Sequence, residues 1–295
     1  MPKNNKIAKD IKLAKYAGFC YGVKRAVETA KKLKAENPDK NVFVLGELIH
    51  NTHVIHDLEK LGIQTLTEIP EKGEGICVIR SHGESPEIIE KIKKAGFEVV
   101  DLTCPDVKKV QQKAVNLAKE DYFVVIIGKE NHPEVIAIKA NAQAHSPNVI
   151  VVNSVDEVCA NREKLKAHKK IGVVIQTTQT ISHVQEIISA LVPLAKELKV
   201  ENTICPSTSN RQKETLELAK NSDLVIVVGS KGSANTTHLA QICEPITKTI
   251  HIETAEELGE YTDLIEKSNN ISVTAGASTP QNLIEKVINN LNKGE

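Results

Sequence analysis

"TCPDVKKVQQKAVNLAKEDYFVVIIGKENHPE", residues 103–134, runs from a cysteine through a helix and a strand into a polar loop. Pro105, directly after Cys104, suits a first helical position, where the N–H it lacks would have no partner anyway. "VKKVQQKAVNLAKE" reads as a helix, whereas "YFVVIIG" is a short, unbroken apolar run of the kind found in parallel strands buried on both faces. Gly128 closes that strand, and "KENHPE" then sets His132 and Glu134 on either side of Pro133. The same order is written twice more. Cys20 leads through "KRAVETAKKLKA" to "NVFVLG" and "ELIHN", and Cys205 leads through "NRQKETLELAKN" to "DLVIVVG" and "SKGSAN". The separations Cys20 to Gly46, Cys104 to Gly128 and Cys205 to Gly229 are 26, 24 and 24 positions, so one unit recurs three times.

Each unit supplies a further strand with a polar end: "ICVIRSHG", "IGVVIQTTQ" and "NISVTAGAS". Ligands of open parallel sheets bind beyond the carboxyl ends of strands, where loops carry side chains inward. Those ends hold His50, His82, His132, Glu134, Thr177, Thr178, Ser233, Asn235 and Ser278. The expected fold class is α/β, with pseudo-symmetric units over residues 12–103, 104–198 and 199–295. No Pro-, Gly- or Ser-rich linker separates the units, so the expectation is a trefoil about a pseudo-threefold axis rather than beads on a string.

Composition narrows the functional classes. Across 295 residues, 38 basic side chains balance 38 acidic ones, so net charge calls for neither nucleic acid nor an anionic membrane surface. The N-terminal "MPKNNKIAKDIKLAKY" has no apolar run fit for a signal peptide, and no later stretch approaches a membrane span, so the reading is cytosolic. Six scattered cysteines do not resemble a secreted disulfide framework; metal binding, catalysis or plain burial are the uses left open.

Cys20, Cys104 and Cys205 share one position in the repeat, each at a helix start, where unpaired N–H groups and the positive dipole end favour thiolate over thiol. A structural zinc site needs four ligands, so three thiolates do not close one. They are enough for a [4Fe-4S] cluster with one iron left open to a ligand. Any one of these cysteines alone would be unremarkable as packing. Cys77, Cys159 and Cys243 miss the repeat position and are assigned to packing.

Glu134 is the candidate proton donor, since burial near a bound ligand would raise its pKa. Thr177 and Thr178 in "QTTQ" are candidates to pass a proton or orient a ligand hydroxyl. His50, His82 and His132, with Ser233, Asn235 and Ser278, would make a donor cage suited to a phosphate or diphosphate. "GSKGSAN" has glycines at the wrong spacing for a nucleotide-binding loop.

Taken together, "GFCYGVKRA", "ELIHN", "SHG", "TCPDVKKV", "HPEV", "QTTQ", "GSKGSAN" and "TAGAST" resemble the 4-hydroxy-3-methylbut-2-enyl diphosphate reductases, the IspH/LytB family, from about residue 12 to the C-terminus. The resemblance implies a trefoil with a [4Fe-4S] cluster on its axis, ligated by Cys20, Cys104 and Cys205. It implies reductive dehydroxylation of an allylic diphosphate to isopentenyl and dimethylallyl diphosphates, the last step of the non-mevalonate isoprenoid pathway. By motif, Glu134 donates the proton that lets hydroxide leave, Thr177 and Thr178 support that transfer, and His50, His82, His132, Thr178, Ser233, Asn235 and Ser278 contact the substrate. Where the family often has Ser-Ser-Asn, this chain has Ser233, Ala234 and Asn235, leaving Ala234 its backbone N–H alone as a ligand contact. No flavin or nicotinamide site is visible, so a ferredoxin or flavodoxin is the expected electron donor.

Two other readings compete. Quinolinate synthase shares three related domains and three cysteines around an open cluster, but its motif strings do not match. A plain iron–sulfur electron carrier or sensor would need no carboxylic acid, paired threonines or anion cage.

Overall fold

The computed structural model describes residues 9–293. Among them, twelve strands form three parallel sheets of four strands each. The chain opens with β1 (Asp10–Leu13) and then builds the first complete sheet from β2 (Val42–Leu45), β3 (Ile63–Leu66), β4 (Ile76–Ile79) and β5 (Glu98–Asp101), in the order β3-β2-β4-β5. The next sheet takes β6 (Phe123–Ile127), β7 (Val149–Val152), β8 (Lys170–Ile175) and β9 (Glu197–Val200), in the order β7-β6-β8-β9. The last takes β10 (Leu224–Val228), β11 (Lys248–Ile252) and β12 (Asn270–Ala275), with β1 completing the order β11-β10-β12-β1.

The three sheets therefore have one topology, and in each the strand that leads to a cysteine is the outer one. β1, at the start of the first expected unit, pairs in register with β12 of the third sheet, Asp10 beside Asn270 through Leu13 beside Val273. A four-residue strand reading Asp-Ile-Lys-Leu has too little apolar surface to stand apart, and the open edge of β12 supplies its ladder.

Position in the sheet explains the composition of each strand. β6 and β10 are buried along their whole length, and alternate residues enter different cores. Phe123, Val125 and Ile127 pack with Ile171, Val173 and Leu191, whereas Val124 and Ile126 pack with Val110, Leu117 and Ile138. Leu224, Ile226 and Val228 likewise part from Val225 and Val227. Burial on both faces requires an unbroken apolar run. The outer strands β1, β5 and β9 are largely exposed and carry Lys12, Glu98, Asp101, Glu197 and Lys199, charges that discourage further pairing at an open edge.

The density of contacts divides the chain into two units. One comprises the chain up to Tyr21, His50–Val54 and the chain from Pro206, and so contains the β11-β10-β12-β1 sheet. The other comprises Gly22–Ile49 and Ile55–Cys205 and contains the other two sheets. Among the described residues no helix is long and apolar enough to cross a membrane.

Candidate functional site

The three cysteines of the repeat are seated by one recurring hydrogen bond. Cys104 N–H donates to the Ser81 carbonyl at 2.9 Å, Cys205 N–H to Thr177 at 3.0 Å and Cys20 N–H to Ala277 at 3.2 Å. In every case the acceptor lies two residues past the end of the strand beside the cysteine's own, namely β4, β8 and β12. Each cysteine then begins a helix: Tyr21–Glu36, Pro105–Lys119 and Pro206–Lys220. Pro105 and Pro206 occupy first helical positions, as the sequence predicts. Cys104 is the N-cap of its helix, yet its side chain makes no capping bond, so its sulfur is not spent on the helix start.

None of the six cysteines is in a disulfide, and their surroundings sort them. Cys20, Cys104 and Cys205 are half-buried, whereas Cys77 and Cys243 are buried outright. Burial pushes the Cys77 thiol up to about 11, and burial aided by the charge of Glu244 pushes Cys243 up to about 12. Those two are packing residues with no thiolate to offer. Cys159 is exposed, outside any junction. The Cys205 thiol donates to Asp106 Oδ2 at 3.2 Å, which sets it against the first turn of the Cys104 helix. Asp106 went unnoticed in the sequence, where its signal was an acidic first-turn residue two positions after a repeat cysteine.

In the same unit, the helix Pro133–Gln143 starts with His132 as N-cap, its Nδ1 accepting the Glu134 N–H at 3.2 Å. A neutral His132 ring accepting at Nδ1 carries its proton on Nε2, where it can be donated. His82 meets this ring edge-to-face, with centroids 5.6 Å apart.

Glu134 is only 2 % exposed. Thr177 holds both its oxygens: the backbone N–H donates to Oε1 at 2.7 Å and the hydroxyl to Oε2 at 2.7 Å. Burial raises its pKa from 4.5 to about 7, and the two Thr177 bonds offset part of that rise. A backbone N–H can only donate, so Oε1 is an acceptor there, whereas the Thr177 hydroxyl can donate to an ionised Oε2 or accept from a protonated one. Thr178 is half-buried, its hydroxyl accepting from Gln176 Nε2 at 3.2 Å. Buried Gln176 also accepts the Lys129 N–H at 3.1 Å, tying the end of β8 to the loop after β6, a connection invisible in "QTTQ" alone.

Gly128 permits this closeness. A Cβ there would come within 2.8 Å of Gln176 and Val135, so the Glu134 helix and the β8 end approach each other only across a glycine.

The other unit presents a second polar group. Ser233 is the N-cap of the helix Ala234–Cys243, and Ser233, Asn235 and Ser278 are each about 5–6 % exposed. The Ser278 hydroxyl donates to the His50 carbonyl at 3.1 Å, bringing those two expected site residues together. Neither amide atom of Asn235 has a hydrogen-bond partner. A buried amide without protein partners is costly, so a bound water or ligand would be needed to satisfy it. Ala234 is buried at the first position of the same helix.

The family model described as LytB protein matches residues 11–292. A protein of Citrifermentans bemidjiense named 4-hydroxy-3-methylbut-2-enyl diphosphate reductase is 42 % identical over 281 residues, 95 % of each chain. One of the same name from Aquifex aeolicus is 40 % identical over 94 % of each. Among solved structures, an (E)-4-hydroxy-3-methyl-but-2-enyl diphosphate reductase described as the terminal enzyme of the non-mevalonate pathway superposes with TM-score 0.71 at 38 % identity, covering 97 % of this chain and 99 % of that one. The reductase from Plasmodium falciparum superposes with TM-score 0.86 at 31 % identity, covering 96 % and 87 %. The chain belongs to the LytB family.

Proposed function

We propose that this LytB-family chain is a reductase of 4-hydroxy-3-methylbut-2-enyl diphosphate, forming isopentenyl and dimethylallyl diphosphates. The allylic C–O bond breaks, two electrons and two protons enter, and water leaves. The observation that carries the reading is a carboxyl group buried to 2 % exposure, held at both oxygens by Thr177 and poised near neutrality. A leaving hydroxide needs a proton, and an acid with a pKa near the working pH is best matched to give one.

Cys20, Cys104 and Cys205 would hold a [4Fe-4S] cluster, leaving one iron without a protein ligand. The donor set fits: three half-buried thiols in equivalent seats, each at the start of a helix. When bound, the cluster supplies electrons one at a time and a Lewis-acidic iron for the allylic oxygen. Electrons reach the protein from a ferredoxin or flavodoxin.

The remaining work belongs to side chains. Glu134 would hold the proton, and the Thr177 hydroxyl, 2.7 Å from Oε2, fixes the carboxyl plane and can pass that proton on. Thr178 follows Thr177 in the chain, its hydroxyl held by Gln176 Nε2, and would orient the substrate. We assign the diphosphate to His50, His82, His132, Ser233, Asn235 and Ser278, with the Ala234 N–H as a backbone donor. The unpaired Asn235 amide and the Nε2 proton of His132 support this assignment. Charge-assisted bonds to a diphosphate would repay the desolvation of these buried groups.

The test is anaerobic purification, iron and sulfide analysis, and reduction of the allylic diphosphate by a one-electron donor, with products identified by NMR. Iron and sulfide near four each per chain, with both isomeric diphosphates formed, is the expected outcome. A preparation that binds no iron, or that binds it and leaves the allylic alcohol intact, contradicts the reading.

A further inference from the structure

The helix that follows each cysteine grips the chain approaching a different cysteine. In the helix after Cys20, Arg25 Nη2 donates to the carbonyls of Leu102 at 3.0 Å and Thr103 at 2.6 Å, the two residues just before Cys104. In the helix after Cys104, Asp106 meets the Cys205 thiol, and Lys113 pairs with Glu201, four residues before Cys205. In the helix after Cys205, Arg211 donates from Nη1 to the carbonyls of Tyr16 and Ala275, and from Nη2 to Gly18 at 3.1 Å, two residues before Cys20. One turn further on, Glu214 accepts the N–H groups of Lys15 at 2.7 Å and Tyr16 at 2.9 Å. The grips pass in one direction, from the Cys20 helix to the Cys104 approach, onward to Cys205 and back to Cys20.

We propose that Arg25 and Arg211 are positioning residues for the cluster-holding cysteines, each fixing the backbone that presents Cys104 or Cys20. The inference rests on the assignment of those cysteines as cluster ligands. Its physical basis is the place where the carbonyls stand. β5 ends at Asp101 and β1 at Leu13, so Leu102, Thr103, Tyr16 and Gly18 lie beyond the ladder that would otherwise satisfy them. Leu102 and Thr103 are buried, and a buried carbonyl without a donor is costly. A guanidinium answers several such carbonyls from one rigid plane, which a lysine's single ammonium cannot reproduce. Arg211 is 2 % exposed, and its third acceptor, Ala275, ends β12 three residues before Ser278. One side chain thus pins both the Cys20 approach and the root of the loop carrying a proposed diphosphate contact. Gly18, at φ +92°, makes the turn that brings its carbonyl to Arg211, with Ile284 only 3.2 Å from where a Cβ would stand.

The experiment compares Arg25→Gln, Arg25→Lys, Arg211→Gln and Arg211→Lys with the unaltered chain and with exposed Arg162→Gln as control, all purified anaerobically as holoenzyme. Iron and sulfide are measured per folded chain, with the folded fraction taken from far-UV circular dichroism. Cluster loss to a chelator is followed by visible absorbance and by the electron paramagnetic resonance of the reduced state. Groups that orient metal ligands from outside typically change metal affinity about 10–100-fold, so the Gln variants should lose the cluster at least about tenfold faster, the Lys variants less so, and Arg162→Gln not at all. Gln variants with wild-type iron, spectrum and rate of loss overturn the proposal. So does iron that falls only in step with the folded fraction, because that is general destabilisation. If a Gln variant does not accumulate folded, its Lys counterpart is judged by the same two measures. A wild-type preparation without iron would sink the cluster assignment itself, whereas iron-replete wild type with indifferent arginine variants sinks only the positioning role.

Discussion

Replacing Glu134 by Gln separates two consequences of one buried carboxyl. Its pKa rises from 4.5 to about 7 because burial penalises the charged form more than the Thr177 bonds favour it. A carboxyl with a raised folded pKa contributes most to stability below its unfolded value, and that contribution is lost as pH climbs through the folded one. Over the climb from 4.5 to about 7 the loss is about 3 kcal/mol, at roughly 1.4 kcal/mol per pH unit. The amide that Glu134→Gln introduces would keep the acceptor for the Thr177 N–H and a partner for the Thr177 hydroxyl, but it cannot ionise. Urea unfolding of both proteins in the same cluster state, between about pH 5 and about pH 8.5, cancels every other titrating group. The stability of Glu134→Gln relative to the parent should rise by about 2–3 kcal/mol across that range. Turnover should fall by about 10²–10⁴-fold below about pH 7, and the gap should narrow above it as parental kcat declines with loss of the proton. A stability difference that stays flat with pH refutes the raised pKa, and near-parental turnover in the variant removes Glu134 from proton transfer.

Other expectations follow from single features. Cys104→Ser should cost most of the bound iron while Cys77→Ser keeps it, measured as iron per chain; equal losses would erase the distinction between half-buried junction thiols and core thiols. Asn235→Leu, which replaces a buried amide lacking partners, should stabilise the substrate-free protein by about 1–2 kcal/mol in denaturant titration. The same change should raise KM at least tenfold, and unchanged KM would take Asn235 out of the binding group. Gly128→Ala forces a Cβ to within 2.8 Å of Gln176 and Val135, so it should lower stability by about 1–3 kcal/mol and disturb the Glu134–Thr177 pair, read as a lower kcat; parental values in both would show that the contact relaxes freely.

Much of this architecture was written in local pattern. Unbroken runs such as "YFVVIIG" and "DLVIVVG" declared two-sided burial, since a strand covered on both faces cannot alternate polar with apolar. The threefold recurrence of cysteine, helix, strand and glycine exposed the repeat, and with it the three cysteines that share one seat, because equivalent positions in a repeat inherit equivalent surroundings. Motif strings carried the family. Pairings between distant segments were beyond any local signal. Nothing in "DIKL" says that β1 will border β12, more than 250 residues away, because a four-residue outer strand takes whichever edge the rest of the chain leaves open. Glu134 and Thr177 stand 43 residues apart, and the proximity that buries the one and supplies two hydrogen bonds from the other arises only when β6 and β8 lie side by side. Arg25 and Arg211 read in sequence as ordinary helical cations; which carbonyls they hold was decided by packing that brings remote backbone, beyond the ends of its own ladder, within reach of a guanidinium. Sequence by itself determined which residue types the chemistry has at hand, whereas tertiary structure decided their charge states and partners, because desolvation and hydrogen bonding depend on neighbours that are distant along the chain.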